Sequence, residues 1–448
     1  MTVVGSIGSL GGIAMTFLPV YFTSLGGSVT QYGIVTAMGM LVGIPSTIVG
    51  GIIVPKQGLK RIAILTSWFS PCILVGYYLS SDWVTLSIIM IVGAAGTIGS
   101  STSRQLIADA TISKNRTAQL SLYQTLANIP SMFSPVIGGY LVNTMGIVGG
   151  FRSGIIIAVA TSFLSTFLIV KFLNESKDNP SSNPRSKTSD QKTFGKMPKL
   201  LKEIRFNVFC RFKPKSEKTG KVDSNNPGYE TYSATHFRDF FRNIASLPKS
   251  LAPLLTAYIL MIMANSTTGP YYIFYATNIV KIDSFHWGLI LSLQVIVANL
   301  LRTPLGIIAD RFDKRKVLLL SIAMTAPIST FFIFLNSFWG ILGLSLAMIA
   351  TGIHYGPTHE ALQIEITPRE KRPALFAIYD VLTSSSRFAG TITGGILFSV
   401  SYAIPFYAFT IIQACAFGIL AAAFIQQRTL FSLKRSVAGK SKMDDNNS

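Results

Sequence analysis

Long apolar segments recur along this chain, and each has the length that crosses a lipid bilayer. A spanning helix needs about 20 mostly apolar residues, and twelve segments, numbered here as spans one to twelve, meet that requirement. They lie near 3–25, 31–54, 61–80, 84–108, 117–142, 150–173, 251–279, 285–309, 315–336, 339–364, 373–399 and 403–426. A helix satisfies its own backbone polar groups within lipid. The segments therefore predict an all-α membrane protein of twelve transmembrane helices in two six-helix bundles.

The short loops between the spans alternate in charge. Loops that follow spans two, four, eight and ten are basic, while the intervening loops around Gly26–Thr30, Ser80–Trp83 and Asn336–Trp339 carry at most one charge each. The basic positions are Lys56, Lys60 and Arg61; Lys114 and Arg116; Arg311, Lys314, Arg315 and Lys316; and Arg369, Lys371 and Arg372. Because cytoplasmic loops are enriched in Lys and Arg, these loops and both termini are predicted to be cytoplasmic. The net charge of +20 then follows from topology, and no nucleic-acid partner is expected.

The predicted domains follow from the distribution of apolar sequence. Residues 1–173 form the first six-helix bundle, and we interpret 1–25 as a span because it lacks the basic start and cleavage site of a signal peptide; a longer native N-terminus is the alternative. Residues 174–250 form a basic cytoplasmic linker that is partly disordered. Its segments at 197–212 and 236–247 suit an anionic membrane surface, with a solvated connector as the alternative. Residues 251–427 form the second bundle, and 428–448 form a cytoplasmic tail.

Patterns for enzymatic chemistry are missing from the sequence. Gly439–Ser441 reads Gly-Lys-Ser but lacks the upstream glycine and the strand of a phosphate-binding loop. Cys72, Cys210 and Cys415 resemble neither a disulfide framework nor a zinc site. No cofactor or metal is therefore expected, and the chain is predicted not to be an enzyme. Energy for any transport must come from an ion gradient, a substrate gradient or a partner.

The two halves of the chain repeat one another. Gly50–Ile53 at the end of span two matches Leu305–Ile308 at the end of span eight, and Gly138-Gly139 matches Gly394-Gly395. The offsets are 255 (306 − 51) and 256 (394 − 138). Further matched pairs are Arg116 with Arg372, Tyr123 with Tyr379, and Asp109 with Glu365. A duplicated six-helix unit is a common transporter plan, with the substrate site between the halves near mid-membrane.

The loop after span eight resembles the signature loop of the major facilitator superfamily. Residues 306–315 read Gly-Ile-Ile-Ala-Asp-Arg-Phe-Asp-Lys-Arg, close to the family's Gly-x-Leu-Ala-Asp-Arg-x-Gly-Arg/Lys-Arg/Lys, with Asp313 in place of the second Gly. The version at 51–61 keeps both glycines and the basic end but has Pro55 in place of the Asp. The residues 18–26, which begin Leu-Pro-Val-Tyr and end Leu-Gly, resemble the family's first-span ending. The resemblance covers both six-helix regions and implies that family's fold and its alternating access.

A cytoplasmic gate is implied by the same resemblance. Asp310 can face the positive N-terminus of a neighbouring helix, and Arg311 or Arg315 can pair with Glu365. In the family, such contacts hold the outward-open state. The residues assigned to the gate are Gly306, Asp310, Arg311, Arg315 and Glu365, with Gly51, Arg61 and Asp109 as the weaker version in the first half. Ordinary solvated loop charges are the alternative.

Ionisable residues inside the predicted spans indicate a polar cavity, because a charge at a helix centre costs about 2.5–3.5 kcal/mol on insertion scales. These residues are Arg104, Arg302, His354, His359, Glu360, Asp380 and Arg387. Asp380 and Arg387 share a helix face. Glu360 or Asp380 is a candidate proton carrier, and His354 or His359 is a candidate relay. The alternative is a fixed salt-bridge network that closes the cytoplasmic gate. Arg104 is equally a candidate for substrate-anion binding and for gate pairing.

Uncharged polar residues are candidates for the substrate cavity. They are Gln124, Asn128, Asn265, Tyr271, Tyr272, Gln294 and Asn299; packing is the alternative for each of them. Span five adds a clue to direction, since Ser134–Gly139 resembles the Gly-Pro-x-x-Gly-Gly element associated with drug–proton antiporters. Ser134 replaces the first Gly, so the match is partial.

These observations favour a monomeric, multi-pass plasma-membrane transporter that exports small amphiphilic molecules with protons as the coupling ion. A proton symporter that imports a sugar or organic acid is the alternative. A membrane sensor or scaffold without transport is the alternative from another class. The expected partners are therefore a small-molecule substrate, protons and the lipid bilayer.

Overall fold

The computed structural model describes residues 2–57, 59–98, 126–172, 251–352, 358–359, 362–363 and 372–445. In this part of the chain the secondary structure is helical. The helices are α1 (Thr2–Ser9), α2 (Gly12–Met15), α3 (Leu18–Ser24), α4 (Val29–Gln57), α5 (Leu59–Leu79), α6 (Trp83–Gly93), α7 (Ser134–Phe172), α8 (Ala252–Thr268), α9 (Tyr272–Phe274), α10 (Ser284–Arg311), α11 (Lys314–Phe331), α12 (Phe338–Gly352), α13 (Arg372–Val400) and α14 (Ile404–Asp445).

Several described helices are long and apolar enough to cross a membrane. Five stretches qualify by length and composition: Ser6–Ser24, Leu126–Lys171, Ser284–Arg302, Lys314–Phe334 and Ile404–Gln426. Large apolar side chains lie on the outside, such as Leu79 at 69% exposed and Ile425 at 67% exposed. An exposed apolar surface of this kind requires lipid. The all-α membrane fold predicted from the sequence is confirmed.

Spans one and seven, predicted as continuous helices, are interrupted. The first breaks after Ser9 and again after Met15. The seventh passes from α8 through a 3-10 turn at Gly269–Tyr271 into α9 and then into a π-helical turn at Tyr275–Ile279. Gly269 and Pro270 explain the second interruption, because proline removes a helical donor and glycine favours other backbone conformations. Discontinuous helices of this kind line the central sites of transporters.

Spans five and six, predicted as separate helices, are two helices that meet at Gly146 and form a hairpin, and α7 includes both of them. The chain reverses at Gly146, whose φ of 75° lies in the left-handed region. Gly150 packs directly against the backbone of Leu141 and Val142. In a continuous helix, residues nine positions apart would be about 13 Å apart. Helical sequence on both sides of Gly146 therefore folds back on itself with almost no loop.

The ends of two other predicted spans also differ. In span four, α6 changes to a 3-10 turn at Ala94–Thr97. At span twelve, predicted to end at 426, the helix α14 continues to Asp445. Span twelve therefore extends as a helix into the segment predicted as a cytoplasmic tail. The linker at 174–250 lies outside the described residues.

Aromatic side chains build the core at the outer end, meaning the end that carries the turns at Gly26, Ser80–Asp82, Gly146 and Lys281–Asp283. The charge pattern predicts this end to be non-cytoplasmic. The largest fully buried side chains include Tyr21, Tyr271, Tyr275, Phe17, Phe22, Phe151, Phe274, Phe332, Phe406 and Phe409. Many belong to α3, α9 and the segments beside them. The interrupted spans are therefore anchored by packing of their aromatic side chains.

Candidate functional site

The two halves of the molecule meet along two seams near the outer end. The first seam joins α7 to α10. A Cβ on Gly139 would come closer than 3.0 Å to the Ser284 carbonyl oxygen, and a Cβ on Gly288 would come equally close to the Pro135 carbonyl oxygen. The backbone N–H of Val136 also donates to the Ser292 hydroxyl oxygen at 3.1 Å. Two helices from opposite halves thus touch backbone to backbone, which requires glycine at the contact.

The second seam joins α4 to α13. Gly33 of α4 packs against the Tyr271 hydroxyl and the Thr391 carbonyl oxygen, and Gly395 packs against Thr30. The Thr30 hydroxyl donates to the Gly395 carbonyl oxygen at 3.2 Å. Tyr271 is fully buried here, and its hydroxyl donates to the Thr391 carbonyl oxygen at 2.7 Å. The Tyr271 hydroxyl thus lies between Gly33 of the first half and Gly395 of the second half.

The seams are related by the internal repeat. Gly139 corresponds to Gly395 (395 − 139 = 256) and Gly33 corresponds to Gly288 (288 − 33 = 255). The preceding glycines behave alike, since Gly138 packs on the Ile13 carbonyl oxygen and Gly394 packs on that of Thr267. In each Gly-Gly pair, the first residue contacts its own half and the second contacts the other half. The repeated glycines therefore close the outer end from both sides.

Aromatic rings add to this closure between the seams. Tyr32 of the first half meets Phe274 of the second half edge to face, with ring centroids 6.1 Å apart. Phe22 packs on the same Tyr32 at 5.5 Å, and Tyr271 stacks on Phe398 at 5.6 Å. All of these rings except Phe398 are buried, so they fill space between the two halves at this level.

Below the second seam, α13 carries exposed charged side chains between its contacts with α8 and α4. Along one face of α13, Thr391 is fully buried, whereas Arg387 and Asp380 on the same face are exposed. This face lies between the contact with α8, made through Gly390, and the contact with α4, made through Gly395. It therefore points to the space between the halves and not to lipid. The predicted cavity would therefore be closed at the outer end by the two seams and would lie on the predicted cytoplasmic side of them.

Arg302 lies on the same face of α10 as the residues of the first seam. It continues the stripe that begins with the seam residues Gly288 and Ser292, at helical spacing through Val295 and Asn299. Ser292 is buried and Arg302 is exposed. None of Arg302, Asp380 and Arg387 forms a salt bridge with another described residue, so the predicted pairing of Asp380 with either arginine is absent from this conformation.

The gate predicted from the signature loop is described only in part. The backbone of Gly306, Asp310 and Arg311 is helical, ending α10, while Gly51 and Arg61 lie in α4 and α5. The side chains of these five residues, and all of Asp109 and Glu365, lie outside the described residues. Arg315 is described, and its guanidinium carbon lies 5.5 Å from the centre of the Phe424 ring. The latch therefore remains a prediction.

Asp313, the departure from the family's signature loop, has a local role. Its carboxylate accepts a hydrogen bond from the backbone N–H of Arg315 at 3.0 Å, and its backbone is extended just before α11. It is the N-cap of that helix, a position that favours Asp. The substitution thus replaces a turn glycine with a helix cap.

The predicted coupling residues lie in different surroundings. His359 is buried in the second half, with its Nε2 3.0 Å from the Leu254 carbonyl oxygen. Its ring stacks on Tyr258 at 4.2 Å, and Tyr258 stacks in turn on Tyr379 at 4.6 Å. Asp380 and Arg387 face the cavity, as given above. His354 and Glu360 lie outside the described residues.

The predicted substrate residues also separate into groups. Asn265 is exposed and shares a face of α8 with Tyr258, seven residues away. Tyr271 lies in the seam. Tyr272 is directed into the second half, where its hydroxyl lies 3.0 Å from the Ser329 hydroxyl. Asn299 donates to the Val295 carbonyl oxygen of its own helix at 2.8 Å. Asn128 and Gln294 are partly buried, while Arg104 and Gln124 lie outside the described residues.

One charged residue of the structure was missed by the sequence reasoning. Arg152, near the outer end of span six, donates from its Nη2 to the Ser80 carbonyl oxygen at 3.2 Å. The Tyr21 hydroxyl donates to the same carbonyl oxygen at 3.2 Å, and the Tyr21 ring stacks on Phe151 at 3.9 Å. These contacts tie three spans of the first half together. Arg152 was detectable as a charge inside an apolar segment, the rule applied to the other candidates.

Two aspartates outside the spans cap helices at the outer end. Asp82 accepts from the Thr85 hydroxyl at 2.6 Å and from the Val84 and Thr85 N–H groups at 2.9 Å. These bonds, led by the Thr85 hydroxyl, hold the pKa of Asp82 below its ordinary value. Burial raises the pKa of Asp283, but hydrogen bonds from the His286 backbone and ring outweigh this and lower it. The His286 Nδ1 lies 2.6 Å from the Asp283 carboxylate.

Comparisons with known proteins agree with this architecture. A family model described as the Major Facilitator Superfamily matches residues 2–243 and 254–441. The chain is 28% identical over 130 residues to an uncharacterized MFS-type transporter, YqjV, of Bacillus subtilis (strain 168). That match covers 29% of this chain and about a third, 32%, of the relative's length.

Solved structures resemble the whole chain. A bacterial homologue of the human lysosomal transporter Spinster, inward-facing and unoccupied, has a TM-score of 0.61 at 14% identity, covering 94% of this chain and 93% of that one. The nucleoside transporter NupG has a TM-score of 0.64 at 13% identity, covering 95% and 97%. The human organic anion transporter MFSD10 (TETRAN) has a TM-score of 0.60 at 13% identity, covering 94% and 98%. At such identities the likeness shows the fold alone.

Proposed function

The chain belongs to the major facilitator superfamily, and from that premise we propose that it exports small amphiphilic molecules across the plasma membrane in exchange for protons. Membership makes it a membrane transporter and not an enzyme. Transporters of this plan work by rocking their two halves around a site near mid-membrane. The proposal adds a direction, a coupling ion, a monomeric state and a substrate class to that framework.

The accessible carboxylate of Asp380 is the observation that carries the proposal. It lies on the cavity face of α13 and has no salt bridge with a described residue, so it is available to take up and release a proton. A carboxylate locked to arginine would hold its charge through the cycle and could not couple to a proton gradient. The absence of such a lock in the described part of the cavity favours coupling over a purely structural network.

The proposed direction rests on span five. Its Ser134–Gly139 segment, which resembles the antiporter element, lies in the first seam, where Pro135 and Gly139 touch α10. Since this element closes the outer end, it acts on the step that separates the cavity from the outside. An exporter needs that closure to be tight while its cavity loads from the cytoplasm.

Everted vesicles test the proposal. With an imposed proton gradient, we expect accumulation of an amphiphilic probe together with dissipation of the gradient. Asp380→Asn is expected to abolish gradient-driven accumulation while leaving substrate counterflow, because the cavity still binds and rocks without a proton carrier. Glu360→Gln, at the other predicted carrier, is examined in parallel. Asp82→Asn makes the same chemical change at an exposed cap outside the cavity and is expected to leave both activities unchanged.

The possible results separate the hypotheses. Normal gradient-driven transport in both Asp380→Asn and Glu360→Gln would reject proton coupling through these carboxylates. Movement of the probe in the import direction, driven by the proton gradient, would reject export. No flux with any compound would favour a sensor or scaffold.

A further inference from the structure

We propose that the central cavity takes substrates that carry a negative charge, and that the guanidinium of Arg387 binds that charge. The inference rests on the transport function proposed above and names its substrate class. Arg387 lies near the middle of the 29-residue helix α13. It is one helical turn, about 6 Å, below the buried Thr391 that ends the cavity at the outer seam. A ligand at Arg387 therefore occupies the closed end of the cavity, near mid-membrane.

The orientation of Arg387 follows from its neighbours on the helix. Gly390 and Gly394 pack on α8, and Gly395 packs on α4. Arg387 lies angularly between these two contacts, one to two turns toward the cytoplasmic end, and is exposed. Lipid-facing positions such as Ile396, at 50% exposed, lie on the opposite side of the helix. The guanidinium therefore faces the space between the halves.

Among the described residues, no acidic side chain forms a salt bridge with Arg387. In the first half, spans one and two contain no acidic residue, and neither do the described parts of spans four and five. In the second half, Asp380 is seven residues from Arg387, about 10 Å along the helix, and does not bridge to it. With Arg302 also exposed on the cavity stripe of α10, the described cavity charges are two arginines against one aspartate.

Arginine cannot relieve this imbalance by losing its proton. A lone cation within the membrane is costly, and a carboxylate, sulfonate or phosphate is the group that a guanidinium binds with two parallel hydrogen bonds. An anionic ligand would therefore gain both charge pairing and geometry at Arg387. A cationic ligand would be repelled there.

The three charged residues are assigned different roles according to their depth in the membrane. Arg302 lies nine residues from the cytoplasmic end of α10, where a positive charge raises the local concentration of anions entering the cavity. Asp380, at a similar depth on α13, remains available for the proton. The separation of about 10 Å between Asp380 and Arg387 allows a proton and an anion to occupy the same cavity without neutralising the binding cation.

A matched probe series tests the inference in proteoliposomes and everted vesicles. The probes are 1-naphthalenesulfonate, 1-naphthalenesulfonamide and trimethyl(1-naphthylmethyl)ammonium, which share a ring and differ in charge. We expect the sulfonate to stabilise the purified protein thermally and to be transported in preference to the other two. Arg387→Gln should raise the half-saturating sulfonate concentration by roughly 10- to 100-fold, the range for a hydrogen bond to a charged group. Arg387→Lys should raise the half-saturating concentration by a smaller factor, because lysine keeps the positive charge but cannot form the bidentate pair of hydrogen bonds.

Controls make each outcome decisive. Lys171→Gln removes one cation from an exposed position beside Phe167 and should leave the probe preference unchanged. Transport of the ammonium probe in preference to the sulfonate would overturn the inference while leaving the proposed transport function intact. An equal loss of all three probes in Arg387→Gln would also overturn it, since that pattern marks a structural role. Failure to move any probe would remove the proposed function itself.

Discussion

Closure of the outer end should depend on the absence of a side chain at Gly139. A Cβ there would collide with the backbone of Ser284 and Phe285 across the first seam. Both are main-chain groups on another helix, so no flexible side chain can move aside. Overpacking of this kind costs about 1–3 kcal/mol. The cost falls only on the conformation in which the seam is closed.

The magnitude of the expected population shift follows directly. A penalty of about 1–3 kcal/mol on one of two states changes their ratio by roughly 5- to 150-fold. Gly139→Ala should therefore move the protein toward the state that is open at the outer end. The gain in helix propensity from alanine, about 0.5–1 kcal/mol, is common to both states and cancels.

Cysteine accessibility measures this shift. Thr391 is fully buried in the other seam, so Thr391→Cys, in a background with Cys72, Cys210 and Cys415 changed to Ser, reports opening at a distance. We expect Gly139→Ala to speed its labelling by a membrane-impermeant maleimide added outside, by the same factor of roughly 5 to 150. Gly343→Ala is the matched control, because a Cβ at that position meets nothing within 4 Å.

The result also tests rigid-body rocking. If the halves move as units, a change in the α7–α10 seam must open the α4–α13 seam as well. Labelling of the Thr391→Cys reporter at the parental rate in Gly139→Ala would refute the reasoning, because the collision would then be absorbed locally.

Other predictions follow from individual contacts. Arg152→Gln should lower the free energy of unfolding by about 1.5–3 kcal/mol, because it removes a charged donor to the Ser80 carbonyl oxygen, and Tyr21→Phe by about 1 kcal/mol; equal thermal stability of both variants and the parent in detergent would reject this. Tyr271→Phe should lower the free energy of unfolding by about 1 kcal/mol, because it removes the hydroxyl bond to the Thr391 carbonyl oxygen within the second half, and a melting temperature equal to that of the parent would contradict that. The lowered pKa of Asp283 means that its stabilising contribution is present above the ordinary aspartate value, about 3.9, and is lost as pH falls through the lower folded value. Asp283→Asn should keep the helix cap but remove that acid-side fall in melting temperature, and an unchanged fall would argue against the assignment.

Much of this fold was predictable because bilayer thickness imposes a length on every span. Apolar segments of about 20 residues placed α4, α5, α11 and α13 within a few residues of their observed bounds. The interruptions in spans one and seven were harder to predict. Hydropathy does not distinguish a continuous apolar helix from one broken at Gly269 and Pro270, because both are equally apolar.

The candidate site was predictable in its residue types but not in their partners. Charge inside an apolar span identified Arg302, Asp380 and Arg387, since the free-energy cost of placing a charge within the bilayer makes such residues rare. Whether they pair depends on how helices rotate against one another, which the spacing along one helix does not fix. The structure leaves Asp380 without a salt bridge among the described residues, and its role in coupling stays a prediction.

The sequence by itself determined the membrane fold, the repeat and the positions of the repeated glycines. Each follows from local chemistry: apolar length, charge alternation and residue identity at a fixed offset. Only the tertiary structure decided what the glycines do. Gly139 and Gly395 contact helices about 145 and 365 residues away in the chain (284 − 139 and 395 − 30), and such contacts depend on how the two halves rotate against each other. The closed outer end is a property of that packing.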